Sequence, residues 1–168
     1  MKVKELNSCL RNFALQNDMC ENYKKLWKKD WSRLEMVNHF YRTFDFYLSK
    51  RFVQKEFIKE NFDKKFLREN GILVDDTYSL LNPKQAVLIG NSKSNIRVNG
   101  MAVSTINLTD ESEADVTVKW NSFVLIHMYD KAKLEITQFD NANATVIIHS
   151  DDCKFISTGN VKIKREIE

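Results

Sequence analysis

The sequence predicts an α+β protein: a helical cap over residues 1–70, a connector over 71–91, and a single-stranded β-solenoid of about eight short strands over 92–168. Three observations carry this. Apolar residues recur every three or four positions in the first half and every second position in the second half, the periods of a helix face and a strand face. Charge divides at the same place, with 16 Lys/Arg against 10 Asp/Glu in residues 1–70 and 10 against 13 beyond them. Eight of the eleven phenylalanines precede residue 70, so the two halves bury different kinds of core.

The helical elements follow in order. "VKELNSCLRNFAL" repeats Val3, Leu6, Leu10 and Phe13 at helical spacing. "NDMCENYKKLWKK" sets Met19, Cys20, Tyr23, Leu26 and Trp27 on one face and Lys24, Lys25, Lys28 and Lys29 largely on the other. The next stretch opens on Asp30 as N-cap and carries Leu34, Val37, Tyr41, Phe44 and Leu48 as a stripe. A last helical segment, "QKEFIKENFDKKFLRENG", is expected to break near Asn61 and to end at Gly71, a residue suited to the left-handed position after a helix. Amphipathic helices this short must pack on one another or on the second half. Pro83 and Asn82 mark the connector.

The second half then repeats itself. Aliphatic pairs begin at Ile96, Ile106, Val116, Val124, Leu134, Ala144, Cys153 and Val161, spaced 10, 10, 8, 10, 10, 9 and 8, each followed by a polar turn. Short strands at regular spacing suit a stacked solenoid or, as the alternative, an antiparallel β-sandwich. Small residues at matching offsets (Ala114, Ser122, Ala132, Ala142) and polar corner residues (Asn121, Asp130, Asp140, Asp151) favour the solenoid, because stacked corners can satisfy one another's turn amides. From Ile106 to Ile163 no Asn-Gly or Asp-Gly hairpin signal separates the units. Inward positions are assigned to Val116, Val118, Val124, Ile126, Leu134, Ile136, Val146 and Ile148, and outward ones to Lys133, Glu135, His127 and His149. At the end, Lys162, Lys164, Arg165, Glu166 and Glu168 blunt the last strand against further pairing, while the start at "AVLIGNSKSNIRV" needs a cover.

The run "YDKAKLEITQFDNANATV", with Asp140-Asn141-Ala142 at its centre, resembles the Asp-Asn-Ala-x-Val repeats of β-solenoid proteins of phages and mobile elements of gut bacteria. The resemblance covers roughly residues 112–155 and implies a fold and an origin. It carries no catalytic residues.

Composition narrows the chemistry. The longest apolar runs are far shorter than a membrane span, and "MKVKELNSCL" lacks the apolar core of a leader, so a cytoplasmic protein is expected, or one of the host cytoplasm or virion if phage-encoded. Cys9, Cys20 and Cys153, with no Cys-x-x-Cys pair, read as free thiols, the first two as small buried hydrophobes. No Gly-rich phosphate loop, Gly-x-Ser-x-Gly elbow or His-Glu-x-x-His pair is present, and acidic clusters fall in turns. An enzyme, a cofactor and a metal are therefore not expected. His39 reads as a surface histidine. His127 and His149 would stack outward on neighbouring rungs, read as part of a polar ladder rather than as ligands. The expected function is a non-enzymatic structural or interaction protein, acting by self-association or on a protein partner, with Trp27, Trp31 and Tyr47 as candidate contacts. The alternative is a small regulator holding nucleic acid or another anion on Lys24, Lys25, Lys28 and Lys29, with the tryptophans available to stack on bases.

Overall fold

Residues 20 apart in the second half of the chain lie one above another. The computed structural model describes residues 1–167. In it β4 (Lys93–Val98), β6 (Glu113–Val118) and β8 (Lys133–Gln138) pair in parallel, Lys93 on Glu113 and Glu113 on Lys133. Between them in sequence, β5 (Val103–Leu108), β7 (Phe123–Met128) and β9 (Asn143–Ile148) form a second parallel set, Val103 on Phe123 and Phe123 on Asn143. β1 (Ile72–Val74), β2 (Leu80–Leu81) and β3 (Gln85–Ile89) precede these, and β10 (Lys154–Thr158) and β11 (Val161–Arg165) follow. One sheet runs β1-β3-β5-β7-β9-β11 and the other β10-β8-β6-β4-β2. Consecutive strands alternate between sheets and every pairing is parallel, so this is a β-solenoid with two strands to a turn, and the antiparallel sandwich is excluded.

Alternation explains the core. In β6 through β9 every second side chain points between the sheets, and all eight aliphatics assigned inward are at most 3% exposed. They merge with Ile96, Val98, Ile106, Leu108 and Met128 into one cluster shared by both sheets.

The solenoid begins earlier than the sequence suggested. Residues 71–91, expected as a connector, hold β1 to β3, which makes eleven strands among the described residues rather than about eight. "ILV" and "AVLI" are continuous apolar runs buried at every position, and a search for alternation passes over them.

The corners repeat every ten residues. Gly90, Gly100, Asp110, Trp120, Asp130 and Asp140 all take left-handed backbone, with φ between 55° and 73°. Two residues on, Ser92, Ser112, Ser122, Ala132 and Ala142 turn inward and are buried. The carboxylate of Asp110 accepts from the amide of Gly90 at 2.7 Å, Asp130 from Asp110 at 2.9 Å, and Asp140 from Trp120 at 3.2 Å. Each aspartate corner thus satisfies the corner beneath it, the role expected for Asp130 and Asp140. The repeat ends with an irregular turn: Lys154 lies on Lys133 and Val161 on Ala144, with Gly159 (φ 93°) so close to the Gln138 carbonyl that a Cβ would collide with it. β11 is the last strand of its sheet and carries Lys162, Lys164 and Arg165 as expected, with Glu166 following it. Glu168 lies outside the described residues.

The chain divides into two units, Met1–Asp63 and Lys64–Glu168. The first holds α1 (Val3–Gln16), α2 (Glu21–Leu26), α3 (Arg33–Arg42), α4 (Phe44–Lys50) and α5 (Lys55–Asn61). The second opens with α6 (Lys64–Glu69), so the helix break expected near Asn61 is also the unit boundary. α6 packs on β1 and is tied to the first coil: buried Asp76 accepts both guanidinium arms of Arg68 at 2.8 and 2.9 Å and the Lys64 ammonium at 2.8 Å. Gly71 takes φ 74° after α6, the left-handed position expected of it.

Three local expectations are corrected. The N-cap of α3 is Ser32, not Asp30, in a reciprocal capping box with Glu35. Thr43 interrupts the long stripe between α3 and α4, and Leu34 at its start is 49% exposed. Cys20 is exposed as the N-cap of α2 rather than buried, and Cys9 is half-buried.

Candidate functional site

The residues singled out around the basic helix divide between surface and core, with Lys25, Lys28 and Lys29 exposed. α2 stops at Leu26, so Lys28 and Lys29 lie in the following turn. Lys24 is paired with Glu21 at 2.7 Å. Trp31 and Tyr47, expected as contacts, are buried at 7% and 3% exposure. Aromatic packing holds both: Trp31 lies against Trp27 and His39, and Tyr47 against Phe40, Phe44 and Phe52. Trp27 is half-buried and donates its indole N–H to Asn7 Oδ1 at 2.7 Å. His39 is the other correction. It is buried between Trp27, Trp31 and Tyr23, and burial, with Arg42 adding to it, pushes its imidazole down to about 4. The aromatic residues on its own flank make that helix face inward, where a helical-wheel reading had placed it outside.

Exposed aromatic surface occurs instead on one corner of the solenoid. Met101 (87% exposed), Val103 (65%), Trp120 (55%), Phe139 (44%) and Phe123 (40%) occupy this corner on three successive coils. Register joins them. Val103 lies on Phe123, the Lys119 ammonium sits 4.8 Å from the centre of the Phe139 ring, and the Trp120 amide bonds to Asp140. The opposite corner of the same coils carries Asp110, Glu111, Asp130 and Lys131. The same backbone turn therefore presents charge on one side and large apolar groups on the other.

Trp120 is the unusual member. Left-handed backbone suits Gly, Asn and Asp, and a bulky side chain there is strained. Its φ of 62° is shared on equivalent corners only by Gly and Asp. Spacing by aliphatic pairs gives no hint of this residue. Counting ten from Asp110 or back from Asp130 would have placed a tryptophan where the repeat asks for Asp or Gly.

Two other features complete the surface. Over the β4-β6-β8-β10 sheet runs a groove of about 450 Å³ between Tyr78 and Ile156. Within it Glu113 receives Lys93 at 2.8 Å and Lys133 at 2.7 Å, and these lysines, Lys133 first, hold its carboxyl down to about 2. On the other sheet, the Nδ1 of His127 lies 2.9 Å from the Nε2 of His149. The two rings are 10° from parallel with centroids 5.2 Å apart, the separation of two rings meeting edge to edge through their nitrogens. Tyr129 packs on His149 at 4.4 Å, 5° from parallel. The histidines meet as the sequence suggested, though diagonally: His127 is level with Ile147, and His149 with Tyr129.

Comparison with family models, curated proteins and solved structures finds no match to this chain. Among the described residues no helix is long and apolar enough to cross a membrane.

Proposed function

We propose that the protein is a non-enzymatic structural protein that works by protein–protein association, docking through the aromatic corner of its solenoid onto a second copy of the same chain. The observation that carries this reading is Trp120, exposed and held in a backbone conformation that its repeat otherwise gives to Gly and Asp. A contiguous apolar patch around it is the kind of surface that marks an interaction site, and aromatic residues and Met are favoured at interface cores. An origin in a phage or mobile element, implied by the Asp140-Asn141-Ala142 resemblance, belongs to the same proposal.

Charge on the corner selects the arrangement. Lys119 and Asp140 flank the patch on neighbouring coils. Two copies side by side in the same direction and register would set Lys119 against Lys119. A two-fold axis across the stack between those coils instead sets Lys119 level with the other copy's Phe139 and Trp120 level with its Asp140, and two-fold pairing is the commonest form of self-association. The alternative, nucleic acid on the basic helix, would rely on Lys25, Lys28 and Lys29 with Trp31 withdrawn from the surface.

Sedimentation equilibrium at micromolar concentration tests the reading. A dimer is expected for the wild type, and monomers for Trp120→Asp and Phe139→Lys. A wild-type monomer, or a dimer indifferent to both substitutions, overturns the corner as the docking site.

A further inference from the structure

We propose that His127 and His149 form a surface site for a divalent transition-metal ion of the imidazole-binding kind, Zn²⁺, Cu²⁺ or Ni²⁺. Imidazole nitrogen is a preferred donor for these ions, whereas Mg²⁺ and Ca²⁺ take oxygen.

The backbone fixes both rings. His127 stands within β7 and His149 directly follows β9, adjacent strands in parallel register from Phe123–Asn143 to Met128–Ile148. The register continues past the strand end, because the His149 amide donates to the Met128 carbonyl at 2.9 Å. Tyr129 lies flat against His149 and limits its rotation. The two nitrogens are therefore brought together by the scaffold, and both histidines are half-buried.

The distance suits an ion. With Zn–N bonds of 2.0–2.1 Å, two nitrogens of a tetrahedral site stand about 3.3 Å apart. The pair at 2.9 Å opens by a few tenths of an ångström, and because the rings meet head-on each also swings within its plane, by about 35°, to point its lone pair at one tetrahedral ion. At present one facing nitrogen carries a hydrogen and the other accepts it. Metal binding needs both bare, so that hydrogen passes through water to the far nitrogen of its own ring, and both imidazoles stay neutral. Among the described residues no three His, Cys, Asp or Glu side chains already converge, so the remaining positions are filled on binding. Water supplies them, with Glu166 as a further donor: its amide bonds to the Ile148 carbonyl at 2.9 Å, which sets it level with His149 on the next strand. Ile147 separates His127 from Lys164 in their shared column, which keeps that ammonium one strand away.

Calorimetric titration of the whole protein with Zn²⁺, and electron paramagnetic resonance with Cu²⁺, test the site. The wild type is expected to bind one ion per chain, with Cu²⁺ showing hyperfine splitting from two nitrogens and Zn²⁺ raising the thermal midpoint. His127→Asn borrows the residue that Asn107 places in the same column, and His149→Gln keeps a polar group. Each should weaken binding at least tenfold, and the double variant should lose both the midpoint rise and the two-nitrogen signal. Wild-type protein without those signals, or a double variant that keeps them, overturns the site. Trp120→Asp should bind the ion as the wild type does, so failure of the corner and failure of the metal site are read separately.

Discussion

Replacing Trp120 separates what the fold asks of this corner from what the side chain does there. On the opposite corner, Asp110 accepts from Gly90 and Asp130 from Asp110. On this one, Asp140 accepts from Trp120, and Gly100 (φ 73°) lies one coil below Trp120. Trp120→Asp supplies a carboxylate that completes the ladder from Gly100 to Asp140. Relief of left-handed strain contributes about 1 kcal/mol, since a non-glycine residue there costs roughly 1–2 kcal/mol and Asp tolerates it better. One added hydrogen bond contributes about 1 kcal/mol. Against these stands the packing of a ring that is 55% exposed, about 1 kcal/mol for a half-buried side chain. The net expectation is about 1 kcal/mol of stabilisation, or about 2–4 °C in Tm for a chain of this length. Trp120→Ala loses the same ring with neither gain, so it should fall about 2 kcal/mol below Trp120→Asp. Urea unfolding followed by circular dichroism, at concentrations where all forms are monomeric, measures the difference. If the Ala variant equals or exceeds the Asp variant in stability, neither strain nor the Asp ladder governs this corner, and the argument from Trp120 to docking loses its premise.

Two further predictions concern charge. His39 is pushed down to about 4 by burial, so its folded state favours the neutral ring. The stability this gives is full above the unfolded value near 6.5 and is lost as pH falls towards 4, on the order of 2–3 kcal/mol. Helical signal from the first unit should track that window, and His39→Gln should flatten it. Asp76 is held down to about 2, chiefly by its hydrogen bonds from Arg68, with Lys64 adding to them. The stability it lends is present above its usual carboxyl range and is lost as pH falls from about 4 to 2. Asp76→Asn should cost about 2 kcal/mol near neutral pH, below the usual figure for breaking a buried pair because Arg68 and Lys64 are partly exposed. Hydrogen exchange at the amides of β1 and β2 would report it.

Much of the solenoid was legible because its physics is local. Alternation placed Val116, Val118, Leu134 and Ile136 inside, and turn chemistry placed Asp130 and Asp140 at stacking corners. The phase of the repeat was less visible. Anchoring on aliphatic pairs chose Val124 where Ile126 is the equivalent of Val116, and produced uneven spacings. The buried small residues Ser112, Ser122, Ala132 and Ala142 keep a spacing of ten throughout, because a corner has room for little else. The first coil was missed for the opposite reason: strands buried on both faces lose the alternation that reveals a strand. In the helical unit, short helices made the wheel unreliable. Tyr47, Trp31 and His39 are positioned by aromatic contacts between elements, and a single helix cannot display those contacts.

The contrast between the two corners turns a fold into a candidate function. Both corners use the same left-handed turn and the same buried small residue, so backbone geometry does not require them to differ. One follows the chemistry of the turn, with carboxylates bonded to the amides below them. The other keeps that bond only at Asp140 and spends its remaining outward positions on Met101, Val103, Trp120, Phe123 and Phe139. Exposed apolar groups add nothing to the core of the solenoid, and Trp120 subtracts from its stability. A stack of coils displays whatever it carries at a fixed separation of about 4.8 Å, the spacing of adjacent strands. Side chains on three successive coils therefore form a rigid row before any partner arrives, and a row that needs no ordering loses less entropy on docking. The strain at Trp120 is local to that row, which is where a cost to folding would be retained for the sake of binding.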